Sequence, residues 1–115
     1  MALVGLLLAV ALPARAASKS AYQHYLKALL HTNQGQYPEA MKEYEAALDL
    51  DPQSATMYQQ AAQLALEMGD ASRALTLAKR FAELSPENPE AHLLLGQVSW
   101  AKGASEASRA AFEKA

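Results

Sequence analysis

The stretch GQYPEAMKEYEAALDLDP, Gly35 to Pro52, decides the architecture. Gly35 can end a preceding helix in the left-handed conformation because it has no Cβ to clash. Pro38 falls in the first turn of a following helix, where a missing N–H costs nothing. Glu39 puts negative charge at the positive end of that helix, and Asp51-Pro52 stops it. Thirty-four residues on, GDASRALTLAKRFAELSP, Gly69 to Pro86, repeats the plan, and Gly103 follows at the same interval. Small residues keep the spacing too: Ala28, Ala62 and Gly96, then Ala40, Ala74 and Ser108. So do Tyr44, Ala78 and Phe112. A 34-residue period of this kind marks stacked helix-turn-helix hairpins.

Outward from that stretch, the chain reads as six helices. The first covers about 20–33, with Tyr22, Tyr25, Leu26, Leu29 and Leu30 at the spacing of one buried helical face. The second ends near Leu50, the third covers about 54–68, and the fourth about 71–84. The fifth opens with Pro89-Glu90 and runs to Lys102. Gly103 is expected to turn the chain into a sixth helix that starts near Ser105. The units are therefore 20–54, 55–88 and an unfinished 89–115. The small residues suit close helix crossings, with Tyr44 before Ala47 in the first unit and Ala78 before Phe81 in the second. That exchange conserves core volume. The third unit has no capping helix, which leads to an expectation of either a longer array or an open end that docks on another chain. Self-association through that end is one form of the second case.

Length and composition fit this plan. The chain has 115 residues, enough for one domain, and it is rich in alanine and leucine. Net charge is −2 with both signs interspersed. No basic stripe is present to neutralise nucleic-acid phosphates, and no lysine-rich amphipathic face to hold anionic lipid. Cysteine is absent, which removes disulfides, thiolate metal sites and a cysteine nucleophile. Ala2 to Leu12 is an apolar run followed by Ala14-Arg15-Ala16, a small-x-small pattern suited to signal peptidase. No Lys or Arg precedes the run. Residues 1–16 are thus read as a signal peptide or, alternatively, as an apolar N-terminal segment. The run falls short of the roughly 20 residues of a membrane span.

These residues resemble the tetratricopeptide repeat, or TPR. The match rests on Gly35 to Pro52 and on HLLLGQVSWAKG, His92 to Gly103, and it covers 20–115. Ala71 departs from the pattern where the first unit has Tyr37, as do Lys27 and His31 at places where leucine and an aromatic are usual. The resemblance implies an all-α, right-handed superhelical solenoid of about three units, the last incomplete. It also implies a non-catalytic protein that binds a partner protein or peptide on the concave face formed by the first helix of each unit. The groove residues would then be Tyr22, Tyr25, Leu29, Thr32 and Asn33 from the first unit. Thr56, Gln59, Gln60, Gln63 and Leu66 would follow from the second, and Leu93, Gln97 and Trp100 from the third. Tyr22, Tyr25 and Trp100 are either anchors for a partner or packing between repeats. One TPR subgroup clamps a C-terminal carboxylate with cationic and amide side chains. Here the matching positions hold Tyr25, Leu29, Gln60, Glu90 and Leu94, with no cation, which excludes that mode. An amide-rich groove with aromatic edges remains, suited to an extended or helical segment. With the N-terminal segment, the expectation is an exported scaffold, in the periplasm or cell envelope of a bacterium. The alternative is the N-terminal TPR region of a longer enzyme or membrane-attached assembly machine.

Little in the chain suggests chemistry. His24 and His31 lie seven residues apart, about 10.5 Å along a helix, too far to ligate one ion. His92 lies two units away, so no metal and no cofactor is expected. Glu39, Glu43, Glu45, Asp49 and Asp51 read as a solvated helix surface. No serine sits in a G-x-S-x-G motif, and no glycine-rich phosphate loop is present.

Overall fold

The structure, a computed structural model, describes residues 19–114, without the side chains of Ser108, Ala111, Phe112 and Lys114. The signal-like segment lies outside the described residues. Among the described residues there are five helices and no strand. They are α1 (19–33), α2 (Tyr37–Leu50), α3 (Ala55–Glu67), α4 (Ala71–Leu84) and α5 (Pro89–Lys114). The chain divides into two compact units, Met1–Gln53 and Ser54–Ala115.

The first unit is the α1–α2 hairpin. Its turn is a Schellman motif: Gln36 N donates to His31 O at 2.8 Å and Gly35 N to Thr32 O at 3.1 Å. Gly35 has φ +76°, which a side chain resists. Gln36 offers α2 no side-chain cap, and Pro38 and Glu39 supply the start signals instead. Ala21 and Ala28 of α1 are buried with Ala40, Met41, Tyr44, Ala47 and Leu48 of α2. Small residues on both helices leave room for one large ring, that of Tyr44.

The second unit repeats the hairpin and adds a helix. Asp70 N donates to Ala65 O at 2.9 Å and Gly69 N to Leu66 O at 3.0 Å, again with φ +76° at the glycine. Ser54 Oγ accepts from Met57 N at the start of α3, and Asp70 Oδ1 from Arg73 N at the start of α4. Asn88 Oδ1 accepts from Glu90 N at the head of α5. The α4 helix packs against both α3 and α5, while α3 and α5 meet only along an edge. Its core is Met57, Leu64, Phe81, Leu94 and Val98, set among alanines. Ala78 and Phe81 are both buried, as are Tyr44 and Ala47, so the exchange of large and small residues holds in the folded hairpins.

The expected turn at Gly103 does not form. The α5 helix runs unbroken for 26 residues, and among the described residues only Gly35 and Gly69 have positive φ. Lys102 and Glu106 pair across the site at 3.9 Å, the i, i+4 geometry of a continuous helix. Local signals weigh against it. Asp70 starts a new helix directly after Gly69 and Pro38 stands in the first turn of one three residues after Gly35, whereas Ala104, the best helix former, follows Gly103. A glycine inside a helix costs about 1 kcal/mol, less than nucleating a new short helix. The close crossing expected at Gly96 is also absent. Ala28 and Ala62 are 0% exposed, but Gly96 is exposed and a Cβ there would meet nothing within 4 Å.

These three glycines make opposite predictions. Gly69→Ala places a side chain in the left-handed region and is expected to destabilise by about 1–2 kcal/mol. Gly96→Ala and Gly103→Ala remove a helix-interior glycine and are expected to stabilise by about 1 kcal/mol each. Urea denaturation of the three variants checks the signs, and a loss of stability in Gly103→Ala would restore the turn.

Candidate interaction surface

The expected groove residues of α1 lie at one face of the first hairpin. Tyr22 and Asn33 are exposed, and Tyr25, Leu29 and Thr32 are half-buried. The Tyr25 ring packs 6.1 Å from Tyr44 and 6.2 Å from Tyr22. Tyr25 is therefore tied into its own hairpin, while Tyr22 extends the stack to the surface. Thr32 Oγ1 donates to Ala28 O at 2.8 Å. Burial pushes the Tyr44 hydroxyl above its ordinary pKa, Tyr25 adds to the rise, and a hydrogen bond with Thr32 opposes it.

In the second unit, α3 and α5 enclose a depression of about 450 Å³ lined by Gln59, Gln63, Glu90, Leu93, Leu94 and Gln97. Helical spacing creates it. Gln59 and Gln63 stand one turn apart on α3, while Glu90, Leu93, Leu94 and Gln97 share a stripe on α5. Leu94 is buried and floors it, whereas Leu93 is 64% exposed at its rim. Gln59 Nε2 donates to Glu90 Oε2 at 3.1 Å across the two helices. Trp100 continues the α5 stripe and is 77% exposed. Of the residues expected here, Gln59, Gln63, Leu93 and Gln97 line the depression. Thr56 is exposed and Gln60 and Leu66 half-buried outside it. Trp100 presents its ring to solvent instead of packing.

Glu90 and Leu94 stand at two of the clamp positions that lack a cation, and both line the depression. The signal for their role was available. Glu90 opens the helix whose core residue Leu94 lies one turn later, so both face α3.

The histidines take separate structural roles. His24 Nδ1 lies 2.6 Å from Glu43 Oε2, joining α1 to α2. Glu43 is therefore half-buried in a pair instead of belonging wholly to a solvated surface. His31 Nδ1 meets Gln36 Oε1 at 2.6 Å, and His92 Nε2 donates to Pro86 O at 2.6 Å. Among the described residues no cluster of three or more His, Cys, Asp or Glu could hold a metal ion. The Arg80 guanidinium is held charged beyond its ordinary range by Glu83, at 3.0 Å, and then by Tyr58. No described helix is long and apolar enough to cross a membrane.

Comparison with known proteins agrees with the hairpin register. A family model described as Tetratricopeptide repeat matches residues 60–115, and one described as TPR repeat matches residues 28–69. The chain belongs to the tetratricopeptide repeat family. Together the two matches run from the middle of α1 to the chain's last residue, so the TPR register spans both units. The TPR chain is 31% identical over 100 residues to the Photosystem I assembly protein Ycf3 of Synechococcus sp. (strain CC9605). That match covers 83% of this chain and 58% of the relative, so the chain spans less than two thirds of its length. Among solved structures, MamA superposes with a TM-score of 0.70 at 18% identity, over 85% of this chain and 53% of that one. The first TPR of Spaghetti (RPAP3), bound to the HSP90 peptide SRMEEVD, superposes with a TM-score of 0.68 at 21% identity. The latter covers 84% of this chain and 78% of that one. At these identities both likenesses speak to the fold.

Proposed function

We propose that this TPR protein is a non-catalytic scaffold that holds a partner protein or peptide on the exposed face of its first helices. The observation that carries the reading is the α3–α5 depression, where three glutamine amides surround a leucine floor and Leu93 and Trp100 stand exposed beside it. Amides can satisfy the backbone of a bound segment, and exposed large apolar groups supply the burial that drives association. The peptide seated on the RPAP3 repeat supports the same use of the fold. On this reading Tyr22, Tyr25, Leu29 and Asn33 serve the first unit in the same way. Thr56 and Leu66 flank the depression of the second unit. The apolar run from Ala2 to Leu12 and Ala14-Arg15-Ala16 support export to a cell envelope.

A photo-crosslinking residue placed in living cells at Gln63 or Gln97 is expected to yield adducts of defined mass. The same residue at Lys79, exposed on α4, is expected to yield none. Equal labelling at all three sites, or none, overturns the reading. Mass spectrometry of the recovered chain tests export separately: a mature form lacking residues 1–16 is expected, and an intact Met1 removes the export proposal alone.

A further inference from the structure

Resting on the binding reading above, we infer that the α3–α5 face selects a partner segment carrying a lysine or arginine next to an apolar side chain. Glu90 is the one charged residue of the six that line the depression. Gln59 holds its Oε2 at 3.1 Å, which turns the carboxylate across the helix boundary. Among the described residues its Oε1 takes part in no hydrogen bond, nor do the side chains of Gln63 and Gln97. The depression therefore offers an ionised acceptor and two uncommitted amides, with no cation to answer an acidic ligand. A carboxylate arriving here would meet like charge. An ammonium or guanidinium would gain a charge-assisted hydrogen bond, with Arg able to use two N–H groups.

Glu90 also suits the first turn of α5 as a plain helix-dipole acid. That role alone would not need the Gln59 bond, and it would leave a ligand's charge without effect. The two roles therefore separate by experiment.

The spacing on α5 adds a second requirement. Trp100 lies ten residues beyond Glu90, about 15 Å along the axis. An extended segment covers that distance in about four to five residues. The bound segment thus places its cation at Glu90, an apolar group over Leu93, and an apolar or guanidinium group on the exposed indole.

The test is selection of a random twelve-residue peptide library, displayed on phage, against the immobilised chain. The enriched pool is expected to favour Lys and Arg over Asp and Glu by about two- to fivefold, the range of one solvent-accessible ion pair. A selected peptide should bind Glu90→Gln about two- to fivefold more weakly, with the loss shrinking in high salt. Glu90→Lys should reverse the charge preference of a fresh selection. Circular dichroism confirms that both variants keep their helices. A pool without charge bias, or unchanged affinity for Glu90→Gln, overturns the inference while leaving the binding face in place. No enrichment of any peptide overturns the inference and the binding reading together. A dimer in sedimentation that Glu90→Gln weakens reassigns the face to a second copy and also overturns it.

Discussion

Phe81→Ala is expected to destabilise the second unit by about 3–5 kcal/mol, the loss typical of a fully buried aromatic. Phe81 is 2% exposed and is the largest fully buried side chain among the described residues of that unit. Its surroundings make the loss hard to absorb. The other buried residues of α4 are Ala74 and Ala78, which have no atoms to spare for filling a hole. On α3 the alanines Ala61, Ala62 and Ala65 are likewise buried. A core built from alanines concentrates its burial free energy in a few large groups, and Phe81 supplies most of what α4 contributes. A small domain is stable by about 5–15 kcal/mol at most, so the substitution removes a large share of the total. Urea denaturation followed by circular dichroism measures the effect. A loss below about 1 kcal/mol would mean that Phe81 is not the packing centre of α4.

The exchange of Ala78–Phe81 for Tyr44–Ala47 was legible before any coordinates, because volume conservation between equivalent hairpins is a pairwise property of the sequence. The hairpins were legible for a related reason. Gly35 and Gly69 each precede a residue that starts a helix, so termination and initiation agree locally. At Gly103 only termination is signalled. Whether a permissive glycine turns depends on what the returning helix gains, and that balance is tertiary. Gly96 misled in the same way, since a small residue allows a close crossing but does not create one. The depression was read in part. The TPR resemblance implied Gln59, Gln63, Leu93 and Gln97, but the Gln59–Glu90 bond joins residues 31 apart and has no local signature. The His24–Glu43 pair, 19 residues apart, escaped for the same reason. In both cases the residue types were ordinary, and only the packing of two helices gave them a partner.

Tyr44 carries the corresponding prediction for the first unit, and it has two parts. At 1% exposure with its ring against Tyr25, truncation by Tyr44→Ala should cost about 3–5 kcal/mol. The core within the hairpin is small, so the hairpin should lose most of its helicity. Tyr44→Phe keeps the ring and removes only the hydroxyl, with an expected cost of about 1 kcal/mol at most at neutral pH. Alkali then distinguishes the two residues. Burial raises the folded pKa of Tyr44, whereas the unfolded chain ionises near pH 10. Above about pH 10 the folded state therefore binds more protons than the unfolded state, and stability falls as pH rises. The contribution is whole below the unfolded pKa and is lost as pH climbs toward the folded one. Tyr44→Phe lacks this term, so its small deficit should shrink above pH 10 and then reverse. Thermal melts of both proteins from pH 8 to 11 supply the comparison, and other tyrosines and lysines cancel in the difference. Curves that stay parallel throughout that range would show that the Tyr44 hydroxyl ionises as readily in the folded hairpin as in the open chain.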